Sequence, residues 1–329
     1  MAYCKLRLFG LPEAAVPPRR GYHFERMVRI AEAKGDPTPG AICLEGGAFR
    51  GVYTSGVLDV LMENGILMAD TYGVSAGALN GVNYAAGRIG ESAVTNLNYR
   101  RDSRYVGVRA IAHEHGIIGF EFLFTGIVPQ YEIRPGSNEP TEGRRFYAVA
   151  ADCDTGEAAA LSRDNCSDMD LAVQASASMP LASRVVSLDG HHYLDGGCAN
   201  NIPFRFALDA GHEKIVVVLT RDRTFHRPPK TKSAKAVDKA QKTLYRRFPL
   251  LLDTLEKSDD RYEKEREEAF RLADEGRIFL IEPSEPVAVS RLERDLDHLM
   301  ALYEMGRRDA ERRLPALRAY LASGEAAAR

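Results

Sequence analysis

The sequence predicts an α/β protein, in which a central, mostly parallel sheet is followed by a largely helical C-terminal region. Short apolar runs at Ala41–Leu44, Thr71–Val74 and Ile215–Leu219 have the length of buried strands, and the last of them is expected to complete the sheet. The first two runs each lead through a glycine-containing turn into a helical segment, the order typical of parallel α/β sheets. Beyond about residue 225, lysine and arginine become dense and helical periodicity dominates.

These patterns divide the chain into an N-terminal extension (1–39), a main α/β domain (40–225) and a mainly helical C-terminal region (226–329). The extension contains several prolines, and a short helix is expected over Phe24–Ala33. Glycines and prolines then form a linker before the first strand of the main domain.

Further elements follow from turn residues and periodicity. Two hairpins are expected in the main domain, with turns at Asp154-Thr155-Gly156 and at Asp189-Gly190. In the C-terminal region, a lone strand over Arg277–Ile281 is expected to precede two amphipathic helical stretches, 289–304 and 307–321.

Composition excludes several classes of protein. The net charge is −2, which gives no reason to expect a nucleic-acid partner, and no apolar run approaches the ~20 residues that span a bilayer. The N-terminus lacks the apolar stretch of a secretory signal. The five cysteines have no C-x-x-C spacing, so they predict reduced thiols and neither a disulfide framework nor a zinc site. We therefore expect a cytoplasmic protein, with peripheral contact at the inner face of the membrane left open.

The pentapeptide Gly73-Val74-Ser75-Ala76-Gly77 has the Gly-x-Ser-x-Gly pattern of a nucleophile elbow. Such an elbow is a sharp strand-to-helix turn that exposes one serine hydroxyl at the edge of a sheet. Gly73 and Gly77 suit this turn because a Cβ atom at either position would clash or require strained dihedral angles. Ser75 is therefore a candidate nucleophile that needs a base and an oxyanion site.

The base is expected to be either a histidine or a carboxylate. None of the histidines that follow Ser75 in the chain lies in a context that favours catalysis over packing or solvation; these are His113, His115, His191, His192, His212, His226 and His298. Asp195 is a better candidate, because it ends a predicted strand and is followed by Gly196 and Gly197. A carboxylate serves as base when burial and hydrogen bonds tune its pKa. In isolation, Asp-Gly-Gly is equally typical of a simple turn.

A glycine-rich loop, Gly46-Gly47-Ala48-Phe49-Arg50-Gly51, lies between a predicted strand and a helix N-terminus. Successive backbone N–H groups at a helix N-terminus bind anions, including the oxyanion of an acyl-transfer intermediate. The loop lacks the P-loop pattern and the dinucleotide-binding pattern, so nucleotide binding is the weaker alternative.

Together the three motifs resemble those of the patatin-like phospholipase family, with a C-terminal extension similar to that of a bacterial subgroup. The resemblance covers roughly residues 40–225 and implies the family's three-layer fold. It also implies that Ser75 is the nucleophile and Asp195 the base of a Ser/Asp dyad. The residues Ala175 to Pro180 resemble the family's Ala-Ser-x-Ala-x-Pro motif.

In this family the glycine-rich loop forms the oxyanion hole, which implies that role for Gly46, Gly47, Ala48 and Arg50. The resemblance gives the remaining motif glycines a supporting role; these are Gly51, Gly73, Gly77, Gly196 and Gly197. Ala48 departs from the family pattern, which usually has a third glycine there. We expect Ala48 to donate its N–H from an ordinary backbone conformation, since alanine is strained at positive φ.

The resemblance implies a lipid acyl hydrolase that acts through an acyl-serine intermediate, with no cofactor and no metal. The cluster His113-Glu114-His115 has a spacing that suits a strand more than one helical face, and a solvated surface is the favoured interpretation. Two alternatives stay open, namely a Ser-His-Asp esterase of the α/β-hydrolase type and a non-catalytic lipid-binding protein that keeps the fold.

Two segments bear on the substrate and its surroundings. The apolar stretch 117–128 is expected either to line an acyl site or to pack in the core. The segment 221–247 contains ten Lys and Arg residues against Asp222 and Asp238, a local net charge of +8. Such a segment is suited to an anionic membrane surface, and a solvated helix face is the equally weighted alternative.

Overall fold

The computed structural model describes residue 28 and residues 30–127, 139–227 and 232–323. In chain order the strands are β1 (Ala31–Glu32), β2 (Thr38–Leu44), β3 (Met68–Val74), β4 (Arg88–Ile89), β5 (Arg145–Asp152), β6 (Ala158–Leu161), β7 (Val186–Leu188), β8 (His191–Asp195), β9 (Ile215–Val218) and β10 (Phe279–Ile281). The α-helices are α1 (Gly51–Glu63), α2 (Ala76–Ala85), α3 (Glu91–Tyr99), α4 (Val108–Glu114), α5 (Met169–Ser176), α6 (Phe204–Asp209), α7 (Lys232–Leu244), α8 (Pro249–Glu256), α9 (Ser258–Asp274) and α10 (Leu296–Ala322).

Eight of the described strands form one sheet in the order β10-β9-β2-β3-β5-β8-β7, with β6 paired to β5. The five strands from β10 to β5 are parallel neighbours, whereas β6, β7 and β8 pair antiparallel. The α/β class with a central, mostly parallel sheet is therefore confirmed. Both predicted hairpins are present, as β5–β6 and β7–β8.

The sheet is covered on both faces, because alternate residues of a strand point to opposite sides. Ile42 and Leu44 of β2 pack in the core with α1, α3 and α10. Ala41 and Cys43 pack on the other side with α6 and α9. The result is the three-layer arrangement that the motifs implied.

The C-terminal region contributes to this sheet directly. The strand expected to be alone, β10, pairs parallel with β9 at the edge, so β9 lies inside the sheet and does not complete it. The boundaries at 39/40 and 225/226 stay predictions.

The two amphipathic stretches expected at 289–304 and 307–321 merge into one helix, α10, which begins at Leu296, so the expected helix over 289–295 is absent. Gly306 lies inside this helix, where a Cβ atom would overlap the carbonyl oxygen of Tyr53 in α1. In α1, a Cβ atom at Gly56 would overlap the carbonyl oxygen of Tyr303. The two glycines thus let α1 and α10 pack closely, and this contact outweighs the low helix propensity of glycine.

The helix expected over Phe24–Ala33 is wrong at its end, since Ala31–Glu32 is a strand that pairs antiparallel with β4. Residues 24–27 and 29 lie outside the described residues. Among the helices that are described, none is both long enough and apolar enough to cross a membrane.

Candidate active site

Ser75 lies between the end of β3 and the start of α2, at the turn that the Gly-x-Ser-x-Gly pattern predicted. Its backbone has φ 56° and ψ −120°, a conformation that non-glycine residues rarely adopt. A Cβ atom at Gly77 would overlap the carbonyl oxygen of Leu44, and one at Gly73 would lie 2.5 Å from the carbonyl oxygen of Gly77. The two glycines therefore allow the close packing that this turn needs.

The sheet topology brings Asp195 next to this turn. Val149 of β5 is level with Val74 of β3, and β5 continues three residues beyond that point to Asp152. The antiparallel strand β8 then returns beside this overhang and ends with Asp195 opposite Ala150. Gly196 allows the end of β8 to lie this close to β5, because a Cβ atom at residue 196 would overlap the carbonyl oxygen of Val149.

The hydroxyl of Ser75 donates a hydrogen bond to Oδ2 of Asp195 over 2.6 Å. The other carboxylate oxygen accepts a hydrogen bond from the N–H of Gly197, at 2.8 Å. Both side chains are buried, with 7% and 6% of their surface exposed. Burial raises the pKa of Asp195 to about 6, although the hydrogen bonds from Ser75 and Gly197 and the charge of Arg291 oppose this shift. A carboxylate with this pKa is ionised at neutral pH and is more basic than an exposed one.

The end of α5 connects Ser75 to Asp195. Ser176 accepts a hydrogen bond from the N–H of Ser75 at 2.9 Å and donates one to the carbonyl oxygen of Val149 at 2.6 Å. Two residues later, the carbonyl oxygen of Ser178 accepts a hydrogen bond from the N–H of Asp195 at 2.8 Å. The motif at 175–180 thus contacts both partners of the pair.

The glycine-rich loop follows β2 and leads into α1 through a short 3-10 turn, Ala48–Arg50. Ala48 has φ +49°, so the expectation of an ordinary conformation is wrong. The reason is the tight turn, in which the N–H of Arg50 bonds back to the carbonyl oxygen of Gly47 at 3.1 Å. Among the described residues, the N–H groups of Gly47 and Ala48 have no hydrogen-bond acceptor.

The other members of this loop pack tightly against neighbouring elements. A Cβ atom at Gly46 would lie 2.7 Å from Oδ1 of Asn201, and one at Gly51 would lie 2.7 Å from Cβ of Ala76. The side chain of Arg50 is buried and does not line the cavity that contains Ser75. Burial and the charge of Arg221 lower the pKa of Arg50 to about 10, so it still carries a positive charge behind the loop.

Ser75 lines a cavity of about 80 Å³. One wall is apolar and includes three residues of the predicted stretch 117–128; its members are Leu79, Val82, Ile118, Leu123, Phe124 and Met179. The side chains of 125–127 and all of residue 128 lie outside the described residues. A polar face of α3 also lines the cavity, through Glu91, Ser92, Thr95 and Asn96. Ala48 also lines this cavity, so the glycine-rich loop and Ser75 border the same space.

Residues 42–208 match the sequence profile of the family described as patatin-like phospholipase. The chain belongs to this family. Residues 248–322 match a second profile, described as a domain of unknown function (DUF6363). The chain is also similar to the uncharacterized protein YjjU of Escherichia coli (strain K12), with 29% identity over 188 residues, which is 55% of this chain and 52% of that protein. It thus spans about half the length of that curated relative.

Two solved structures resemble the chain more distantly. VipD from Legionella pneumophila matches with a TM-score of 0.46 and 12% identity, over 88% of this chain and 70% of that one. A chain from the complex of full-length SpcU with full-length ExoU of Pseudomonas aeruginosa matches with a TM-score of 0.30 and 14% identity, over 68% and 53%. These scores are too low to add to the assignment to the patatin-like family.

The histidines that the alternative hydrolase mechanism needs lie elsewhere in this patatin-like chain. All of them except His23 fall within the described residues, and none of those lines the cavity of Ser75. Several pair with carboxylates away from the site, as His212 does with Asp70 at 2.9 Å. The cluster His113-Glu114-His115 lies at the C-terminal end of α4 and its two histidines are exposed.

Asp152, Asp154 and His191 form a group that the sequence did not suggest, with side-chain atoms within 4.8 Å of one another. The group lies at the overhang of β5 and has protein partners. Nδ1 of His191 bonds Asp152 at 2.8 Å, and Asp152 also accepts the N–H of Asp154 at 2.8 Å. These bonds account for the cluster as part of a turn.

Several polar residues around the patatin-like site were missed by the sequence interpretation. They are Glu45, Ser176, Asn201, Thr220, Tyr262 and Arg291. Ser176 belongs to a motif that was recognised without a role. The others lie in different elements, and no local pattern in the sequence relates them to the site.

Proposed function

We propose that this chain is a lipid acyl hydrolase that cleaves carboxylic esters with Ser75 as nucleophile and Asp195 as its base. The observation that carries the proposal is the buried 2.6 Å hydrogen bond between the two side chains, of which Ser75 lines a cavity together with several apolar residues. Membership of the patatin-like phospholipase family supports a lipid ester as the substrate class. The apolar wall formed partly by Ile118, Leu123 and Phe124 is suited to an acyl chain.

In the proposed mechanism, Asp195 accepts the proton of the Ser75 hydroxyl as its oxygen attacks the ester carbonyl carbon. The negative charge that develops on the carbonyl oxygen is stabilised by the N–H groups of Gly47 and Ala48. Protonated Asp195 returns its proton to the leaving alcohol, which departs and leaves an acyl-Ser75 ester. Water, deprotonated by Asp195, then attacks this ester; Asp195 passes that proton to the departing oxygen of Ser75, and the carboxylic acid is released. Arg50 contributes its positive charge from behind the loop.

The substrate arrives, in this proposal, from an anionic membrane surface that the segment 221–247 contacts. The support comes from α7, because the described cations that precede it have protein partners. Arg227 pairs with Asp259, and Arg223 pairs with Glu282 at 3.4 Å. Residues 228–231 lie outside the described residues.

On α7 and just beyond it, apolar and basic side chains are exposed together. Val237 is 45% exposed and Leu244 is 60% exposed, and Lys239 and Lys242 lie between them. This combination is typical of a helix that lies at a lipid interface. The hydroxyl of Tyr245, at the end of α7, accepts the N–H of Leu181 at 2.8 Å, close to Met179 in the cavity wall. This bond joins the end of α7 to the segment that contributes Met179 to the cavity lining.

Hydrolysis of phosphatidylglycerol vesicles and of p-nitrophenyl esters tests the catalytic proposal. We expect release of fatty acid or nitrophenol by the wild type, and none above background by Ser75→Ala or Asp195→Asn. A wild type that binds these vesicles without cleaving either ester would contradict the proposal and favour a non-catalytic lipid-binding protein.

The membrane contact is tested with the double variant Lys239→Glu/Lys242→Glu. We expect less of this variant to sediment with anionic vesicles, while its rate on soluble esters is unchanged. Sedimentation equal to that of the wild type would contradict the membrane contact.

A further inference from the structure

The region that matches a domain of unknown function contacts the candidate site at several points. Helix α9 belongs to this region and packs directly against the sheet through Tyr262, Ala269 and Leu272. The hydroxyl of Tyr262 donates a hydrogen bond to Oε1 of Glu45 over 2.6 Å, across 217 residues of chain. Glu45 is the residue immediately before the glycine-rich loop.

Glu45 is fully enclosed, with 1% of its surface exposed, and its carboxylate accepts hydrogen bonds from three elements. Besides Tyr262, the N–H of Thr220 bonds Oε2, and the hydroxyl of Thr220 bonds the same oxygen at 3.0 Å. Nδ2 of Asn201 bonds Oε1 at 3.3 Å. A buried carboxylate is stable only when its oxygens are satisfied in this way, so the loss of one donor leaves an incompletely satisfied charge.

A second link from α9 reaches the chain that follows Asp195. The carboxylate of Glu265 accepts the N–H groups of Asn201 and Ile202, at 3.0 and 3.2 Å. Nη1 of Arg261 donates to the carbonyl oxygen of Cys198 at 2.8 Å. The N–H of Gly46 in turn bonds the carbonyl oxygen of Asn201 at 3.2 Å. The glycine-rich loop and the segment after the base are therefore held together, and α9 holds both.

A third link comes from the segment that precedes α10. The carbonyl oxygen of Arg291 accepts the N–H of Phe49 at 3.4 Å, and the Arg291 side chain lines the cavity of Ser75. With this contact, the region 248–322 touches the glycine-rich loop on both sides.

We propose that the region 248–322 is a structural part of the active site, and that Tyr262 is a positioning residue for the oxyanion loop. This inference rests on the proposed function. Tyr262 acts through Glu45, because their hydrogen bond fixes the start of the loop whose N–H groups at Gly47 and Ala48 receive the oxyanion. Displacement of such donors lowers the stability of the transition state far more than the binding of substrate.

The test compares Tyr262→Phe with Tyr303→Phe, a matched control from the same region. Tyr303 is also buried and donates to a buried carboxylate, Asp59, at 2.9 Å, but Asp59 lies within α1 and does not adjoin the glycine-rich loop. Three quantities are measured for each variant: kcat and KM on a p-nitrophenyl ester, the Ki of a trifluoromethyl ketone that forms a tetrahedral adduct, and Tm.

For Tyr262→Phe we expect kcat to fall ~10-fold and the ketone to bind weaker by a similar factor, with KM within about twofold of the wild type. For Tyr303→Phe we expect a comparable loss of Tm with kcat and Ki unchanged. Equal kinetic effects of the two variants, or none from Tyr262→Phe, would overturn the positioning role while leaving the proposed function intact. If Tyr262→Phe does not fold, Arg261→Met is assessed by the same criteria. A wild type that neither hydrolyses the ester nor binds the ketone contradicts the proposed function, and the positioning role falls with it.

Discussion

Ser75 and Asp195 lie 120 residues apart in the chain and share a 2.6 Å hydrogen bond inside the protein. The contact depends on strand geometry, because the antiparallel strand β8 ends level with the end of the parallel strand β3. A serine whose hydroxyl bonds directly to a carboxylate has its base in place without an intervening imidazole. The proposed dyad mechanism depends on that contact.

The pH dependence of the rate reports the protonation of Asp195. Burial raises its pKa to about 6, so below this pH the carboxyl is protonated and cannot accept the proton of Ser75. We expect kcat/KM to fall with a slope of one below a midpoint near pH 6. Arg291→Gln is expected to move the midpoint upward, since the charge of Arg291 lowers this pKa. A flat profile from pH 5 to 8, with the protein folded throughout, would rule out Asp195 as the base.

The raised pKa of Asp195 also predicts that ionisation of this side chain lowers the stability of the folded protein. The folded-state pKa of Asp195, about 6, exceeds its ordinary value of 3.8, so ionisation disfavours the folded state. The penalty is absent below pH 3.8 and fully present above pH 6, where it amounts to about 3 kcal/mol. Asp195→Asn should therefore raise the Tm at pH 8. The difference in Tm between this variant and the wild type should become smaller as the pH falls to 5. A variant less stable than the wild type at pH 8 would contradict this prediction.

Ser176 is expected to matter to both rate and stability, because it bonds the N–H of Ser75 and the carbonyl oxygen of Val149. Ser176→Ala leaves both buried groups without a partner, at a cost of about 2 kcal/mol in unfolding free energy. We expect kcat to fall ~10-fold, since the elbow loses the bond that holds its backbone. The control is Ser178→Ala, whose hydroxyl bonds only the carbonyl oxygen of Gln174. Similar kinetics for both variants would show that the elbow does not need Ser176.

Ala48 is strained at φ +49°, and glycine adopts this conformation freely. We expect Ala48→Gly to raise the unfolding free energy by about 1 kcal/mol and Tm by about 2 °C, with activity retained. In contrast, Ala301→Gly, the same substitution at an exposed position inside α10, should lower both quantities by similar amounts. Urea unfolding of the two variants measures the difference, and a destabilised Ala48→Gly would mean that the loop needs the rigidity of alanine.

Much of the fold was predictable because its signals are local. Short apolar runs, glycine turns and the dipeptide Asp189-Gly190 identify strands and hairpins within a few residues of themselves, and the α/β class followed. The errors arose where distant segments meet. The close packing of Gly56 and Gly306 produces one long α10, and the pairing of β10 with β9 makes a lone strand part of the sheet.

The site shows the same division. Ser75, Asp195 and the glycine-rich loop each have a local pattern, so they could be selected from the sequence. The bond from Tyr262 to Glu45 joins residues from opposite halves of the chain, and neither residue has a recognisable pattern around it. The positive φ of Ala48 also depends on the tight turn around it, which alanine at that position did not suggest.

The rate of labelling by a fluorophosphonate tests the Ser75–Asp195 dyad most directly, because this reagent reacts only with an activated serine. The set comprises the wild type, Ser75→Ala, Asp195→Asn and single His→Ala variants at each histidine that follows Ser75. The dyad predicts rapid labelling of the wild type on Ser75, none in Ser75→Ala, labelling at least ~100-fold slower in Asp195→Asn, and wild-type rates in every histidine variant. Wild-type labelling of Asp195→Asn, or loss of labelling in one folded histidine variant, would contradict the dyad.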